Sequence, residues 1–295
     1  MKPPAFDYVR ATSLDEALAA LAAHDGEAKV IAGGQSLVPM LNFRLLAPSA
    51  LIDINGVAEL DFIREEEGGG LLIGALTRHH RLMTALSVRE RFPVLAEAMR
   101  HVAHLAIRNR GTIGGSLSHA DPAAELPMMA MLLDATLKLT GPSGSRNIAA
   151  ADFFDGALAT IMTEDEILTE VKLPGLPPAT GWGFHEYAQR AGDFALAAVA
   201  ATLTSADGHA ADVRLAVTGV DETPLRIAGA EAALAGRPVD AESIAAAVAE
   251  VRAAVQPTDD LHGSADYRRH LVGGLIARAL KDAWRRAREQ TAEAA

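Results

Sequence analysis

The sequence predicts an α/β fold for its first 176 residues, followed by a smaller α+β unit. Up to that point, short apolar strand-like runs alternate with amphipathic helical patterns. Residues 173–178 (LPGLPP) are rich in proline and glycine, which break regular elements and mark a domain boundary. Beyond them, strand-like stretches come first and helical patterns follow. We therefore expect domains at residues 1–176 and 177–290.

The first domain opens with the signals of a helix and of three strands. Ser13 and Glu16 have the spacing of a capping box, and apolar residues at helical spacing follow them. Gly26 predicts the end of this helix. A turn of three glycines, residues 68–70, precedes the third strand. The strands are predicted at residues 29–32, 50–54 and 71–75.

Two further helices and two strands complete the first domain. Pro93 is typical of a first helical turn. Asp121 followed by Pro122 predicts an N-cap and a first turn. Pro127 lies deeper than ideal helix geometry favours, so we expect a kink or an irregular start there. The helices are predicted at residues 93–101 and 121–133, and the strands at 135–140 and 167–173.

The second domain is predicted as a small three-stranded antiparallel sheet covered by helices. Asp207-Gly208 has the composition of a tight hairpin turn. The strands are predicted at residues 183–189, 195–205 and 213–218, and the helices at 227–234, 241–255 and 265–287.

Charge and hydropathy exclude several classes of partner. The net charge is −11, and the longest basic run is the pair Arg285-Arg286, so nucleic acid is not expected as a partner. The longest uncharged apolar run, residues 194–203, is far shorter than a membrane helix requires, so we expect no transmembrane segment. The first residues hold no apolar core of a signal peptide, and a cytoplasmic location is expected.

The sequence contains no cysteine. This excludes disulfides, a thiolate nucleophile and a cysteine-ligated iron–sulfur cluster within these 295 residues. The ten histidines show none of the spacings of a metal site, so no metal site is expected.

Two glycine-rich stretches stand out, and neither matches a Rossmann or P-loop motif. The first glycine segment is residues 32–36 (AGGQS), directly after a predicted strand, and the second glycine segment is residues 111–115 (GTIGG). Glycine lets backbone N–H groups approach a phosphate closely, and nearby hydroxyls add donors. Each segment alone is equally compatible with a simple turn. Together they favour a site that grips one diphosphate from two sides.

The sequence resembles the FAD-binding medium subunits of the molybdenum hydroxylases, a family that includes carbon monoxide dehydrogenase and the xanthine dehydrogenase-like enzymes. The resemblance extends over nearly the whole chain. The stretches that carry it are IAGGQSL (31–37), IGALTR (73–78), RNRGTIGGSL (108–117), HADPAAE (119–125) and RAGDFA (190–195).

The resemblance implies a two-subdomain FAD-binding fold of the PCMH (vanillyl-alcohol-oxidase-like) type. Its subdomains would be about residues 1–56 and 57–176, and a domain similar to the carbon monoxide dehydrogenase flavoprotein C-terminal domain would follow. FAD would be bound non-covalently, with both glycine segments on the pyrophosphate, Val102 on the adenine, and Leu168 and Phe194 beside the flavin. The implied FAD-binding residues are Lys29, Val30, Ile31, Ala32, Gly33, Gly34, Gln35, Ser36, Leu37, Val102, Ile107, Gly111, Thr112, Ile113, Gly114, Gly115, Asp121, Glu125, Leu168 and Phe194.

Three nearby residues stand outside this assignment. Some relatives carry a lysine where this chain has Glu186, so the role of that lysine does not transfer. Arg108 and Arg110 could neutralise FAD phosphate, or could equally face solvent or a partner.

The resemblance implies an electron-transfer flavoprotein subunit without catalytic side chains of its own. A small partner with [2Fe–2S] clusters would supply electrons, and a large partner with molybdopterin would hydroxylate the substrate, in a dimer of heterotrimers. FAD would pass the electrons to an external acceptor: quinone, NAD or oxygen. The substrate would be chosen on the large partner. The alternatives are a stand-alone FAD-dependent oxidase or reductase with its own substrate pocket, and a non-enzymatic protein in which the glycine segments are only turns.

Overall fold

A small parallel sheet begins the chain. In the computed structural model, which describes the backbone of residues 1–294 and the side chains of residues 1–293, the central strand is β3 (Ala50–Asp53). Strands β1 (Asp7–Arg10) and β2 (Ala28–Ile31) flank it, and both pair with it in parallel. Helix α1 (Leu14–Ala22) connects the two flanking strands. It buries its apolar face on the sheet and forms the smallest of three hydrophobic cores.

The cap of α1 is formed in part as predicted. The Ser13 hydroxyl accepts a hydrogen bond from the Glu16 N–H at 3.2 Å. The Glu16 carboxylate, however, accepts from the N–H and the hydroxyl of Thr12 at 2.8 Å, one residue before the predicted partner. The cap therefore fixes the chain entering the helix from two consecutive residues.

A five-stranded antiparallel sheet forms the second layer of the first domain. Its strands, in spatial order, are β4 (Ile63–Glu65), β5 (Leu71–Gly74), β10 (Ile167–Leu173), β6 (Thr136–Gly141) and β7 (Gly144–Ala149). A separate two-stranded ribbon is made by β8 (Phe154–Gly156) and β9 (Ala159–Thr160). As predicted, the glycine turn precedes β5, and Gly68 and Gly69 have positive φ there.

Seven further short helices are spread along the first 132 residues, and five of them, α3, α4, α5, α7 and α8, form the largest core with this sheet. The seven are α2 (Leu37–Asn42), which follows the parallel sheet's β2, then α3 (His79–Thr84), α4 (Leu86–Arg91), α5 (Pro93–His101), α6 (Leu105–Arg108), α7 (Ile113–His119) and α8 (Glu125–Leu132). Pro93 occupies the first turn of α5, as predicted.

The start of α8 differs from the prediction. Its N-cap is Ala124, not Asp121. The Asp121 carboxylate instead accepts a hydrogen bond from the Ala123 N–H at 2.9 Å, which makes a turn before the helix. Because the helix begins only at Glu125, Pro127 falls within its first turn, where its missing N–H has no helical partner to lose. The expected irregular start is therefore confirmed.

The C-terminal sheet has four strands rather than the predicted three. Its order is β11 (Gly181–Ala188), β12 (Ala195–Ala206), β13 (His209–Thr218) and β14 (Leu225–Arg226). The last strand has only two residues, too few for an alternating pattern to be read from sequence. The predicted hairpin turn at Asp207-Gly208 joins β12 to β13, with both residues at positive φ.

This sheet is buried on both faces. Helices α9 (Ala228–Leu234), α10 (Ala241–Ala254) and α11 (Ala265–Ala294) make one core with it. Gly183 lets α11 lie directly on β11, since a Cβ there would be 2.0 Å from the Ala279 carbonyl oxygen. The other face, which includes Phe184 and Ala198, belongs to the large core of the first domain. No helix within residues 1–294 is both long and apolar enough to cross a membrane.

Candidate functional site

A cavity of about 740 Å³ lies between the parallel-sheet subdomain and the rest of the chain. Its walls include β2 and the loop after it, the turn between α5 and α6, the stretch from the second glycine segment to the start of α8, the stretch from the β8–β9 ribbon to the start of β10, and the loop before β12. A cavity of this volume between two subdomains is typical of a binding site for a large small-molecule ligand.

The residues singled out from the sequence converge on this cavity, with one exception. The lining residues among them are Lys29, Val30, Ile31, Ala32, Gly33, Gly34, Gln35, Ser36, Leu37, Val102, Ile107, Gly111, Thr112, Gly114, Gly115, Asp121, Glu125, Leu168 and Phe194. The exception is Ile113, whose side chain is 3% exposed and packs in the large hydrophobic core. Its position directly after a helix N-cap turns it away from the cavity.

The first glycine segment presents unused backbone donors to the cavity. Gly34 adopts φ +71°, a conformation that glycine tolerates without strain. The Gln35 side-chain amide donates to the Gly33 carbonyl at 2.9 Å and closes the loop on itself. Among the hydrogen bonds of residues 1–294, none has the N–H of residues 33–36 as its donor. Four consecutive amides are therefore available to an anionic ligand.

The second glycine segment differs from the first in its hydrogen bonds. Thr112 is the N-cap of α7, and its hydroxyl accepts from the Gly115 N–H at 3.0 Å. The Gly114 N–H donates to the Ala75 carbonyl at 2.9 Å. The Ile113 N–H donates to the Thr77 carbonyl at 3.0 Å. The glycines here let a helix start pack tightly on the end of β5, and most of their amides already have protein partners.

The two segments touch each other at the base of the cavity. A Cβ on Gly33 would lie 2.3 Å from the Arg110 carbonyl oxygen and 2.9 Å from the Gly111 Cα. The Arg78 guanidinium donates to that same carbonyl and, at 2.7 Å, to the Asn55 side chain. The absence of a Cβ on Gly33 therefore brings the two subdomains together as well as exposing its amide.

His79 is a lining residue that the sequence did not single out. Its ring is buried, and Nε2 donates to the Thr112 carbonyl at 2.9 Å. Burial lowers the pKa of His79 to about 4, so the ring is neutral at pH 7 and Nδ1 carries a free lone pair. That nitrogen is buried and has no hydrogen-bond partner within residues 1–294. Only the fold reveals this arrangement, because Thr112 is distant from His79 in sequence.

Arg108 has a structural role that neither sequence hypothesis included. Its Nη1 donates to the carbonyls of Val102 and Ala103, each at 2.7 Å. Ala103 has φ +40°, so the guanidinium holds a strained turn in place. Because Val102 lines the cavity, Arg108 shapes the wall rather than neutralising a charge inside it. The Arg110 side chain is exposed.

Acidic residues, among them Asp121 and Glu125, also line the cavity. Glu125 is 6% exposed, and burial, followed by the nearby Glu186 carboxylate, raises its pKa to about 8. Glu186 lies behind it, and burial raises its pKa to about 7. At neutral pH Glu125 is therefore mostly protonated, so its side chain adds little negative charge to the cavity lining.

These features fit FAD. The amides of residues 33–36 suit a diphosphate, and apolar Val102, Leu168 and Phe194 suit flat rings. Within residues 1–294, no group of three or more His, Asp or Glu side chains is placed to hold a metal ion.

Comparison with known proteins agrees with this geometry. A family model described as the FAD binding domain in molybdopterin dehydrogenase matches residues 4–176, and one described as the CO dehydrogenase flavoprotein C-terminal domain matches residues 182–283. The chain is 42% identical to the 6-hydroxypseudooxynicotine dehydrogenase complex subunit alpha of Paenarthrobacter nicotinovorans, over 98% of this chain and 97% of that protein.

Two solved structures share the whole fold. A chain of the carbon monoxide dehydrogenase from Hydrogenophaga pseudoflava superposes with a TM-score of 0.94 at 40% identity, covering 97% of this chain and 99% of that one. A chain of quinoline 2-oxidoreductase from Pseudomonas putida 86 gives a TM-score of 0.92, also at 40% identity, with the same coverage. This chain therefore belongs to the family of FAD-binding flavoprotein subunits of the molybdopterin dehydrogenases, which are oxidoreductases.

Proposed function

We propose that this chain transfers electrons through FAD within a multi-subunit molybdenum hydroxylase. It would take electrons from [2Fe–2S] clusters on a small partner subunit and pass them to an external acceptor. The observation that carries the proposal is one cavity with three features. It has backbone amides without hydrogen-bond partners, apolar walls, and a Glu125 carboxyl group that is mostly protonated at neutral pH. FAD, when bound, supplies the ability to accept two electrons and to release them to the acceptor.

The residues of this chain would bind and orient the cofactor. The amides of residues 33–36 would hold the pyrophosphate, and Thr112 would close the opposite side. Val102 would pack on the adenine, with Leu168 and Phe194 beside the flavin ring. Leu168 is buried, whereas Phe194 is 62% exposed at the cavity edge, where it could contact an incoming acceptor. All of these contacts are non-covalent.

The metal centres would lie on partner chains. The 295 residues of this chain contain no cysteine, and cysteine-ligated iron–sulfur clusters require cysteine. The relative from Paenarthrobacter nicotinovorans is named as a subunit of a complex, and the Hydrogenophaga pseudoflava structure is described with reference to its molybdenum cofactor. We therefore propose a small iron–sulfur partner and a large molybdopterin partner in a dimer of heterotrimers, and a division of this chain near residues 176 and 177.

The test is isolation of the native complex through an affinity tag on this chain. We expect two further subunits, with [2Fe–2S] absorbance on one and molybdopterin on the other. A panel of carbon monoxide, aldehydes, purines and other N-heterocycles would then be screened for a substrate that reduces the flavin. Quinone, NAD and oxygen would be compared as oxidants of the reduced flavin.

The isolated chain is the control. It should bind FAD but fail to oxidise any substrate of the panel, because the chemistry at the substrate would take place elsewhere. Turnover by the isolated chain would support the stand-alone oxidase or reductase instead. Recovery of the chain without partner subunits from its native source would contradict the proposed assembly.

A further inference from the structure

Four ionisable side chains form a line from solvent to the wall of the cavity. Glu97 and His101 lie on α5, Glu186 lies on β11, and Glu125 begins α8. The side chains of Glu97 and His101 are 32% and 35% exposed, whereas that of Glu186 is 5% exposed. Glu125 forms part of the cavity lining. Three different elements thus bring these four ionisable side chains together beside the cavity.

His101 connects the exposed carboxylate to the buried one. Its Nε2 is 3.9 Å from a Glu97 carboxylate oxygen, and its Nδ1 is 4.0 Å from a Glu186 carboxylate oxygen. A small side-chain rotation brings either pair to hydrogen-bond distance. The ring packs against Phe184, with centroids 4.8 Å apart, which holds it between the two acids. An imidazole with a carboxylate at each nitrogen can accept a proton on one side and release one on the other.

No cation neutralises the buried end of this line. One Glu186 carboxylate oxygen is buried without a hydrogen-bond partner in the described part of the chain. Arg100 faces Glu97 at 3.4 Å, and the His185 ring contacts Asp282 at 3.0 Å. The elements packed against α5, α8 and β11 carry further ionisable side chains, among them His79 and Arg81 on α3 and Arg286 on α11.

Two buried carboxyl groups without a cation resist ionising together, because each charge raises the cost of the other. The Glu186 charge is the largest charged influence on Glu125. Burial also lowers the pKa of His101, against the opposing effect of Glu97. Glu125 and Glu186 therefore exchange protons near neutral pH, and the lowered pKa of His101 favours release of its proton to Glu186.

We propose that His101, Glu186 and Glu125 form a proton path between solvent and the cofactor cavity. This inference rests on the proposed function, since it assumes that the cavity holds FAD. Glu125 would release its carboxyl proton into the cavity when electrons arrive there from the iron–sulfur partner. Glu186 would reprotonate Glu125, and His101 would reprotonate Glu186 with a proton taken from solvent. Reoxidation by the acceptor returns the proton along the same groups, so that only O–H and N–H bonds form and break.

The test uses the full chain loaded with FAD and reduced by the methyl viologen radical, a one-electron donor that releases no protons, with a pH-indicator dye reporting proton uptake. In the wild type, we expect uptake to keep pace with flavin bleaching. Glu186→Gln and His101→Gln should slow uptake about a hundredfold, as expected for loss of a proton-transfer group. Glu186→Asp should restore part of the rate. Glu289→Gln, an exposed acid on α11 that contacts Arg285, is the matched control and should behave as the wild type.

A second readout needs no flavin. Infrared titration of the FAD-free chain should show protonated carboxyl bands that persist near pH 7 and weaken in Glu125→Gln and Glu186→Gln. Wild-type proton uptake in His101→Gln would overturn the proposal, as would the absence of those bands. Because His101 is only half-buried, we expect His101→Gln to fold, so this variant tests the proposal even if Glu186→Gln does not fold. A chain that shows the bands but binds no FAD would instead refute the proposed function.

Discussion

The two glycine segments look alike in sequence but have different roles in the structure. In the first, residues 32–36, the amides of residues 33–36 donate no hydrogen bond within the described part of the chain, and these residues line the cavity. The second, residues 111–115, uses its amides at Ile113, Gly114 and Gly115 for bonds within the protein. The comparison teaches that a Gly-Gly pair can serve either a ligand or a close contact between elements. The pattern of hydrogen bonds distinguishes the two, and the sequence does not.

The largest effect on stability should follow from disrupting the close packing of Gly114 in the second glycine segment. In Gly114→Ala, the new Cβ would lie 2.5 Å from the Ala75 Cβ and 2.8 Å from its carbonyl oxygen, which belongs to the backbone and cannot rotate away. We expect a loss of about 3 kcal/mol in the free energy of unfolding, at the upper end for overpacking. Urea unfolding followed by circular dichroism measures it.

Gly274→Ala is the matched control for this substitution. Gly274 lies inside α11, and a Cβ there would meet no atom within 4 Å. Alanine should therefore raise stability by about 0.5–1 kcal/mol through its helix propensity. Equal effects of the two substitutions would contradict the packing role of Gly114.

The acidic wall beside the second segment gives the next largest effect. Since the pKa of Glu125 is raised from 4.5 to about 8, the folded chain binds more protons than the unfolded chain between these values. The free energy of unfolding should therefore fall as pH rises from about 5 to 8, by roughly 2 kcal/mol after allowing for coupling to Glu186. Thermal melts of the FAD-free chain at several pH values test this. Glu125→Gln should flatten the dependence, and an unchanged slope would contradict the assignment.

The ligand role of the first segment is tested by a neighbouring pair of substitutions. Gly33→Ala places a Cβ against the backbone at Arg110 and Gly111, so the base of the cavity must open. We expect FAD affinity to fall at least about tenfold, equivalent to about 1.4 kcal/mol. Gly34→Ala strains a positive φ, but its Cβ meets only the flexible side chains of Val38 and Ile31 at 3.2 and 3.3 Å. It should lose stability, by about 1 kcal/mol, with a smaller change in affinity. The reverse order of affinities would refute the account of Gly33.

The smallest effect concerns the N-cap of α7. Thr112→Ala removes the hydroxyl that accepts from the Gly115 N–H, and should cost about 1 kcal/mol of stability. Thr112→Ser keeps that oxygen and should restore most of the loss. Thermal denaturation of the three chains compares them directly, and a Thr112→Ser chain as unstable as Thr112→Ala would show that the cap contributes little.

Local chemistry made much of the fold predictable. Capping at Ser13, the glycine turn before β5, Pro93 in a first helical turn and the Asp207-Gly208 hairpin each depend on residues a few positions apart. The missed features depend on distant partners or on very short elements. The two-residue β14 has no pattern, and α7 forms around glycines that disfavour helix, because Thr112 caps it and β5 packs beneath it.

The candidate site shows the same division. The resemblance identified the lining at both glycine segments, because those residues occur in recognisable runs, but it missed the wall that residues 158–167 form. It did not show that Ile113 turns into the core, that His79 carries an unpartnered nitrogen, or that Arg108 braces the wall. Each of these depends on a contact made only in the folded chain.

The central claim is that the two glycine segments enclose one removable FAD. The most direct measurement is titration of the FAD-free full chain with FAD, followed by flavin fluorescence and by melting temperature. The account predicts saturation at one FAD per chain, a rise in melting temperature on binding, and release of all flavin on denaturation. The absence of binding and of any melting shift, or flavin that stays attached to the denatured chain, would contradict it.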